Sequence, residues 1–131
     1  MQRGILIIII KRNWNKIMNK KERASLINWI VHTLEEAKAE EIEVIAVDEL
    51  TTITDDMIIC SGRSTRHVSA IADQLVQEAK ARQCAPLGVE GKATGEWVLI
   101  DLGDAVVHIM LPAVRGFYQL EAMWRQTAAQ S

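Results

Sequence analysis

Thr54 to Val68 reads T-D-D-M-I-I-C-S-G-R-S-T-R-H-V, and the structural period changes inside it. Met57 to Cys60 is a short apolar run, read as a buried strand. Ser61-Gly62 marks a turn, with Gly62 expected to supply a backbone free to take φ > 0. Ser64 is a natural helix N-cap, because its hydroxyl can accept from a backbone N–H two or three residues on. Beyond it Val68, Ile71, Ala72, Leu75, Val76 and Ala79 fall on one helical stripe. The stretch therefore joins a buried strand to a helix that covers a sheet. Such a junction could cradle a phosphate at the helix N-terminus. With one glycine and neither G-x-x-x-x-G-K nor G-x-G-x-x-G, a structural strand-to-helix turn is the better reading.

Upstream, Asn19 and Glu22 make a capping-box-like start. Leu26, Trp29, Ile30, Thr33, Leu34 and Ala37 form the apolar face of a helix expected to run to about Glu40. Ile42 to Val47 reads as a strand and Asp48 to Asp56 as a polar loop. Gly4 to Ile10 is an apolar run followed by Lys11-Arg12. It is too short to span a bilayer, which takes about 20 helical residues, and it lacks a cleavage site. Residues 1–17 are therefore expected to be a dispensable extension, and 18–131 one domain.

Downstream, Pro86 breaks the chain, and Leu87 to Glu90 is a short strand. Trp97 to Leu102 and Ala105 to Leu111 form a hairpin around Gly103-Asp104. This register sets Leu102 opposite Ala105, Ile100 opposite Val107 and Val98 opposite Ile109, an all-apolar face that belongs under helices. The other face carries Trp97, Leu99, Asp101, Val106, His108 and Met110. It mixes an aromatic, a carboxylate, an imidazole and a thioether. Trp and Met are enriched at protein interfaces, so Trp97, Asp101, His108 and Met110 are the candidate partner-binding residues. Pro112 opens a last helix with Phe117, Leu120 and Trp124 on one side. The order α-β-β-α-β-β-β-α implies an α/β fold with a mixed sheet of about five strands and packed helices. The second strand, the central helix and the third strand can form one parallel crossover.

Residues 1–34 hold seven Lys/Arg and one acid, whereas 35–131 hold eight Lys/Arg and sixteen acids. An acidic folded part argues against a phosphate-rich groove and suits a basic protein surface. The two cysteines, Cys60 and Cys84, are in no C-x-x-C pattern and read as reduced thiols. His32, His67 and His108 are scattered, with no H-E-x-x-H, so no metal is expected. Ser61 and Ser64 lie near His67 without a G-x-S-x-G. Asp101 and Asp104 are separated by a turn, not spaced D-x-D, and Asp104 is better explained as a turn residue. No catalytic group or cofactor site is expected.

The run T-T-I-T-D-D-M-I-I-C-S-G-R-S-T-R-H-V resembles the ribosomal silencing factor family, also called Iojap-like. So do P-L-G-V-E-G at Pro86–Gly91, W-x-h-h-D-h-G-D at Trp97–Asp104, H-I-M at His108–Met110 and F-Y-x-L-E-x-M-W at Phe117–Trp124. Asp55, Gly62, Ser64, Arg66 and His67 are the structural motif of the first run. The resemblance implies a nucleotidyltransferase-like fold without the catalytic residues. It implies a cytoplasmic protein that binds the large ribosomal subunit through the large-subunit ribosomal protein numbered fourteen. It would block subunit joining when nutrients are short, and it would self-associate as a homodimer when free. No membrane and no sequence-specific nucleic acid are implied. The alternatives are a small nucleotide-transferring enzyme using Asp101 and the Gly62 turn, or an adaptor for another basic protein.

Overall fold

Period-2 apolar runs and two amphipathic stripes assemble into a layered α/β domain in the computed structural model, which describes residues 20–46 and 56–118. The elements are α1 (Lys20–Glu36), β1 (Glu40–Ala46), β2 (Asp56–Ser61), α2 (Thr65–Ala81), β3 (Gly88–Glu90), β4 (Trp97–Asp101), β5 (Ala105–Met110) and α3 (Pro112–Tyr118). Among the described residues the strands form one mixed sheet, ordered β1-β2-β5-β4-β3. The expected α/β class and the five strands are as found. Residues 1–17, the Asn19 cap, the polar loop with Asp55, and the Leu120 and Trp124 positions lie outside the described residues.

The hairpin register is the expected one, with Val98 opposite Ile109 and Ile100 opposite Val107. β2 runs parallel to β5, with Ile58 opposite Val107 and Cys60 opposite Ile109. The hydrogen-bonded parallel neighbour of β2 is thus β5, while β3, reached through α2, also runs parallel to β2, so the expected crossover is present but passes over two strands. β3 pairs antiparallel with β4 at the far edge of the sheet, and both β4 and β5 lie between it and β2. The apolar face of the sheet packs Ile58, Cys60, Val98, Ile100, Val107 and Ile109 against Leu26, Ile30 and Leu34 of α1 and Val68, Ile71 and Leu75 of α2. Each such side chain, fully buried, stabilises the fold by roughly 1.5–3 kcal/mol relative to exposure. A smaller cluster on the opposite face contains Met57, Ile59 and Met110, with Ile45, Trp97 and Val114 of α3 packed against it.

α1 ends at Glu36, not near Glu40, and the reason is local. Lys38 takes φ 66°, its N–H donates to the Glu35 carbonyl, and the Ala39 N–H donates to the Leu34 carbonyl. That is a Schellman ending without the usual glycine. β1 consequently starts at Glu40, two residues before Ile42, and a bulge with Glu41 at φ 50° follows. α2 ends in the same way: Gln83 sits at φ 58°, and the Cys84 N–H donates to the Ala79 carbonyl.

The junction before α2 also corrects one expectation. Gly62 does not adopt a positive φ. A Cβ there would lie 2.8 Å from Val68 Cγ2 and 2.9 Å from the Val68 nitrogen. Glycine is required by the close approach of the helix, not by left-handed backbone. Ser64 is the N-cap, as expected, and its Oγ accepts from the His67 N–H at 3.1 Å.

Candidate partner-binding site

Alternation along β4 and β5 brings Trp97, Asp101, His108 and Met110 to one face, opposite the helix-covered core. Trp97 pairs with Met110, Leu99 with His108, and Asp101 with Val106. Trp97 Nε1–H donates to His108 Nδ1 at 3.0 Å, with ring centroids 5.8 Å apart and planes tilted by 45°. The backbone under Trp97 is braced too. Gly91 sits at φ +92°, and a Cβ there would lie 1.9 Å from the Trp97 carbonyl oxygen, so the incoming loop must carry glycine at that point. Lys92 of the same loop pairs with Asp73 of α2.

Burial separates the four residues. Trp97 is partly buried, whereas Met110 is 0 %, Asp101 1 % and His108 6 % exposed. Of the four, Trp97 therefore has the most exposed surface, with Met110 packed beneath it and His108 bonded to its indole. Burial depresses the His108 imidazole to about 4, so it is neutral at physiological pH. Asp101 is pushed up to about 6, chiefly by burial and further by the Glu90 charge, against the lowering effect of the Gly103 N–H. That N–H donates to Asp101 Oδ1 at 2.9 Å, while Oδ2 is buried with no hydrogen-bond partner among the described residues. Asp104 is also buried, and its carbonyl accepts from the Asp56 N–H, consistent with a turn role.

At the α2 entrance, His67 makes two tying hydrogen bonds. His67 Nδ1 accepts from the Arg63 N–H at 2.9 Å, which leaves its Nε2–H to donate to the Ala37 carbonyl at 3.0 Å. His67 thereby ties the start of α2 to the end of α1. Arg66 is exposed in the first turn of α2. Cys60 and Cys84 are not joined in a disulfide, and burial raises Cys60 to about 12, with Arg115 opposing only in part.

Arg115 escapes a reading of the sequence. It lies buried on α3, and its Nη1 donates to the Glu41 carbonyl at 2.7 Å and to Ser61 Oγ at 3.1 Å. Its Nη2 pairs with Glu43 Oε2 at 3.2 Å. The partners lie 54 to 74 residues away in the chain, so no local pattern could signal them. A groove of about 350 Å³ lies between α1 and β1, lined by Arg23, Ala24, Ile27, Asn28, Val44 and Asp56. Val44 pairs with Ile58, which places the groove on the helix side, away from Trp97.

No group of three His, Cys, Asp or Glu side chains suited to a metal occurs among the described residues, and no described helix is long and apolar enough to cross a membrane. Fold and site thus define a mixed-sheet α/β domain that carries a partly buried, braced tryptophan on the face opposite its main core. A family profile described as "Ribosomal silencing factor during starvation" matches residues 20–131, and the chain belongs to that family. The ribosomal silencing factor of Haemophilus influenzae is 44% identical over 100 residues, covering 76% of this chain and 98% of that protein. A mouse protein named "Mitochondrial assembly of ribosomal large subunit protein 1" is 38% identical over 101 residues, covering 75% of this chain and 44% of its own. The crystal structure of a Chromobacterium violaceum protein superposes with a TM-score of 0.74 at 39% identity, covering 82% of this chain and 87% of that one.

Proposed function

We propose that this chain is a cytoplasmic silencing factor that binds the large ribosomal subunit and sterically blocks its joining to the small subunit, repressing translation under nutrient limitation. The observation that carries the reading is Trp97, presented on a braced strand by a chain of the silencing factor family. The mouse relative's name, which couples it to the ribosomal large subunit, supports the same target. Within the subunit, the proposed contact is the large-subunit ribosomal protein numbered fourteen. Its basic surface complements residues 35–131, where acids outnumber Lys/Arg sixteen to eight. The mechanism is occupancy and involves no catalysis, cofactor, membrane or sequence-specific nucleic acid. His108 and Met110 act in the same site by supporting Trp97, and Asp101 offers its carboxylate to Lys or Arg of the basic partner. Self-association of the free chain belongs to the same proposal and is read by sedimentation equilibrium.

The test is co-sedimentation with purified large subunits and with joined ribosomes. Binding to the former alone is expected, together with inhibition of subunit joining in a light-scattering assay. Trp97→Ala should weaken large-subunit binding more than tenfold, a change of about 1.4 kcal/mol or more. Because Trp97 packs on the Met57–Ile59–Met110 cluster, this variant also loses stability. Affinity is therefore compared per folded molecule, from a melt of the same sample. Normal affinity of the folded fraction would overturn the Trp97 contact, and equal binding to joined ribosomes would overturn the steric mechanism.

A further inference from the structure

An indole has one hydrogen-bond donor, and in this chain that donor is engaged internally. Trp97 Nε1–H donates to His108 Nδ1 at 3.0 Å. For Nδ1 to accept, the imidazole must be the neutral tautomer with its proton on Nε2. His108 is not free to move in order to make this bond. It lies on β5 between two ladders, opposite Leu99 of β4 and Ile59 of β2, and is 6 % exposed. Trp97 stands diagonally across from it, since its own register partner is Met110. A diagonal neighbour is within reach of an aromatic side chain. The long ring therefore has an anchor at its polar end and the Met57–Ile59–Met110 cluster beneath it.

We propose that His108 is a positioning residue: its Nδ1 fixes the Trp97 indole in a single orientation, so that the partner meets the π-face and carbon edge of the ring and not an available N–H. The proposal rests on the reading that Trp97 contacts the large subunit. It changes the role of His108 from a contact to a support. An unanchored indole would lose rotamer freedom on binding, and prior fixation removes that cost from the association. It also sets a specificity rule: a partner surface that places a carbonyl or carboxylate against Trp97 gains no hydrogen bond from it.

The test compares three variants with wild type. His108→Asn places its Oδ1 where Nδ1 stands and preserves the acceptor. His108→Leu fills similar space without an acceptor. His108→Gln carries its acceptor one atom further out, beyond the indole N–H. Expected are large-subunit affinities within threefold of wild type for Asn, and about tenfold weaker for Leu and Gln, each per folded molecule. Nitrogen-15 spectra of the free protein should show Nδ1 unprotonated and Nε2 protonated at His108. Exchange of the Trp97 indole proton should be slow in wild type and in His108→Asn, and fast in His108→Gln. If His108→Leu does not fold, the comparison of Asn with Gln carries the test. Wild-type affinity in His108→Leu or His108→Gln, or equal weakness in Asn and Gln, would overturn the proposal. Trp97→Ala with undiminished affinity would instead overturn the contact on which it rests, so the two failures are distinguishable.

Discussion

Replacing Asp101 with Asn should stabilise the folded protein at neutral pH, the reverse of what most buried-site substitutions do. Asp101 is 1 % exposed, and its carboxyl is pushed from 3.8 to about 6. A tenfold change in proton affinity corresponds to about 1.4 kcal/mol between the protonation states. The ionised form therefore carries a cost of about 3 kcal/mol in the fold at pH 7. Asn is nearly isosteric, and its Oδ1 can still accept from the Gly103 N–H. The Oδ2 position, without a hydrogen-bond partner among the described residues, becomes an amide nitrogen, which costs about 1–3 kcal/mol if it stays unpaired. The expected net gain at pH 7 is thus about 0–2 kcal/mol.

The pH dependence carries the sharper test. A carboxyl whose folded pKa is raised contributes stability that is fully present below about 3.8 and is lost as pH rises through about 6. The advantage of Asn should accordingly shrink as pH falls from 6 towards 4 and reverse below it. His108 acts in the opposite direction. Its folded pKa is depressed from 6.5 to about 4, so its contribution is present above 6.5 and is lost as pH falls through about 4. Both proteins contain His108, so its effect cancels in their difference. Urea unfolding of wild type and Asp101→Asn at pH 4, 5, 6 and 7 measures that difference. A difference that stays flat with pH, or destabilisation by Asn that is largest at pH 7, would refute the reasoning.

Gly62→Ala should destabilise by about 1–3 kcal/mol in chemical denaturation, because the added methyl meets the backbone nitrogen of Val68 and cannot be relieved by a rotamer change. Arg115→Met should cost about 3 kcal/mol by leaving the Glu41 carbonyl and Ser61 Oγ without their donor, whereas Glu43→Gln, which keeps a hydrogen-bond acceptor on a half-exposed side chain, should cost under about 1 kcal/mol. Iodoacetamide should alkylate Cys84 in the native protein and reach Cys60 only on unfolding, as mass spectrometry of peptides would read, since burial keeps the Cys60 thiol protonated. Deleting residues 1–17, which precede the family match at residue 20, should leave the melting temperature within a few degrees and ribosome binding intact.

Features that depend on neighbours close along the chain are legible in the sequence. The α2 stripe, the Ser64 cap and the β4–β5 register each follow from spacings of two to four residues, and each is found in place. The face shared by Trp97, Asp101, His108 and Met110 follows from the same alternation. Their burial does not, because it depends on packing across the sheet and not on the strands that carry them. α1 is shorter than its apolar stripe suggests because its ending uses Lys38, not Gly, in the left-handed conformation. The constraint on Gly62 is hidden because a contact with Val68 is invisible until the helix is folded back. β5 as the parallel neighbour of β2, and Arg115 as the link between α3 and β1, are long-range facts without a local pattern.

On the proposed function, a steric silencer needs a contact surface that is rigid and specific, and the supports around Trp97 would supply both at some expense of stability. His108 buries an imidazole and Asp101 buries a carboxylate on the same sheet face, and burial disfavours the charged form of each. If that face were only a second core layer, aliphatic side chains would serve it better, as Met57, Ile59 and Met110 do beside it. The imidazole has a specific partner, the Trp97 indole, and its destabilising polarity is offset at that one bond. The carboxylate has no equivalent partner for Oδ2 among the described residues. Functional sites are where such costs are retained, because selection there acts on recognition and not on stability alone. Asp101→Asn is for that reason diagnostic twice over. A more stable variant that still binds the large subunit would mark Asp101 as dispensable to recognition. A more stable variant that binds more weakly would show stability given up for contact with a basic partner.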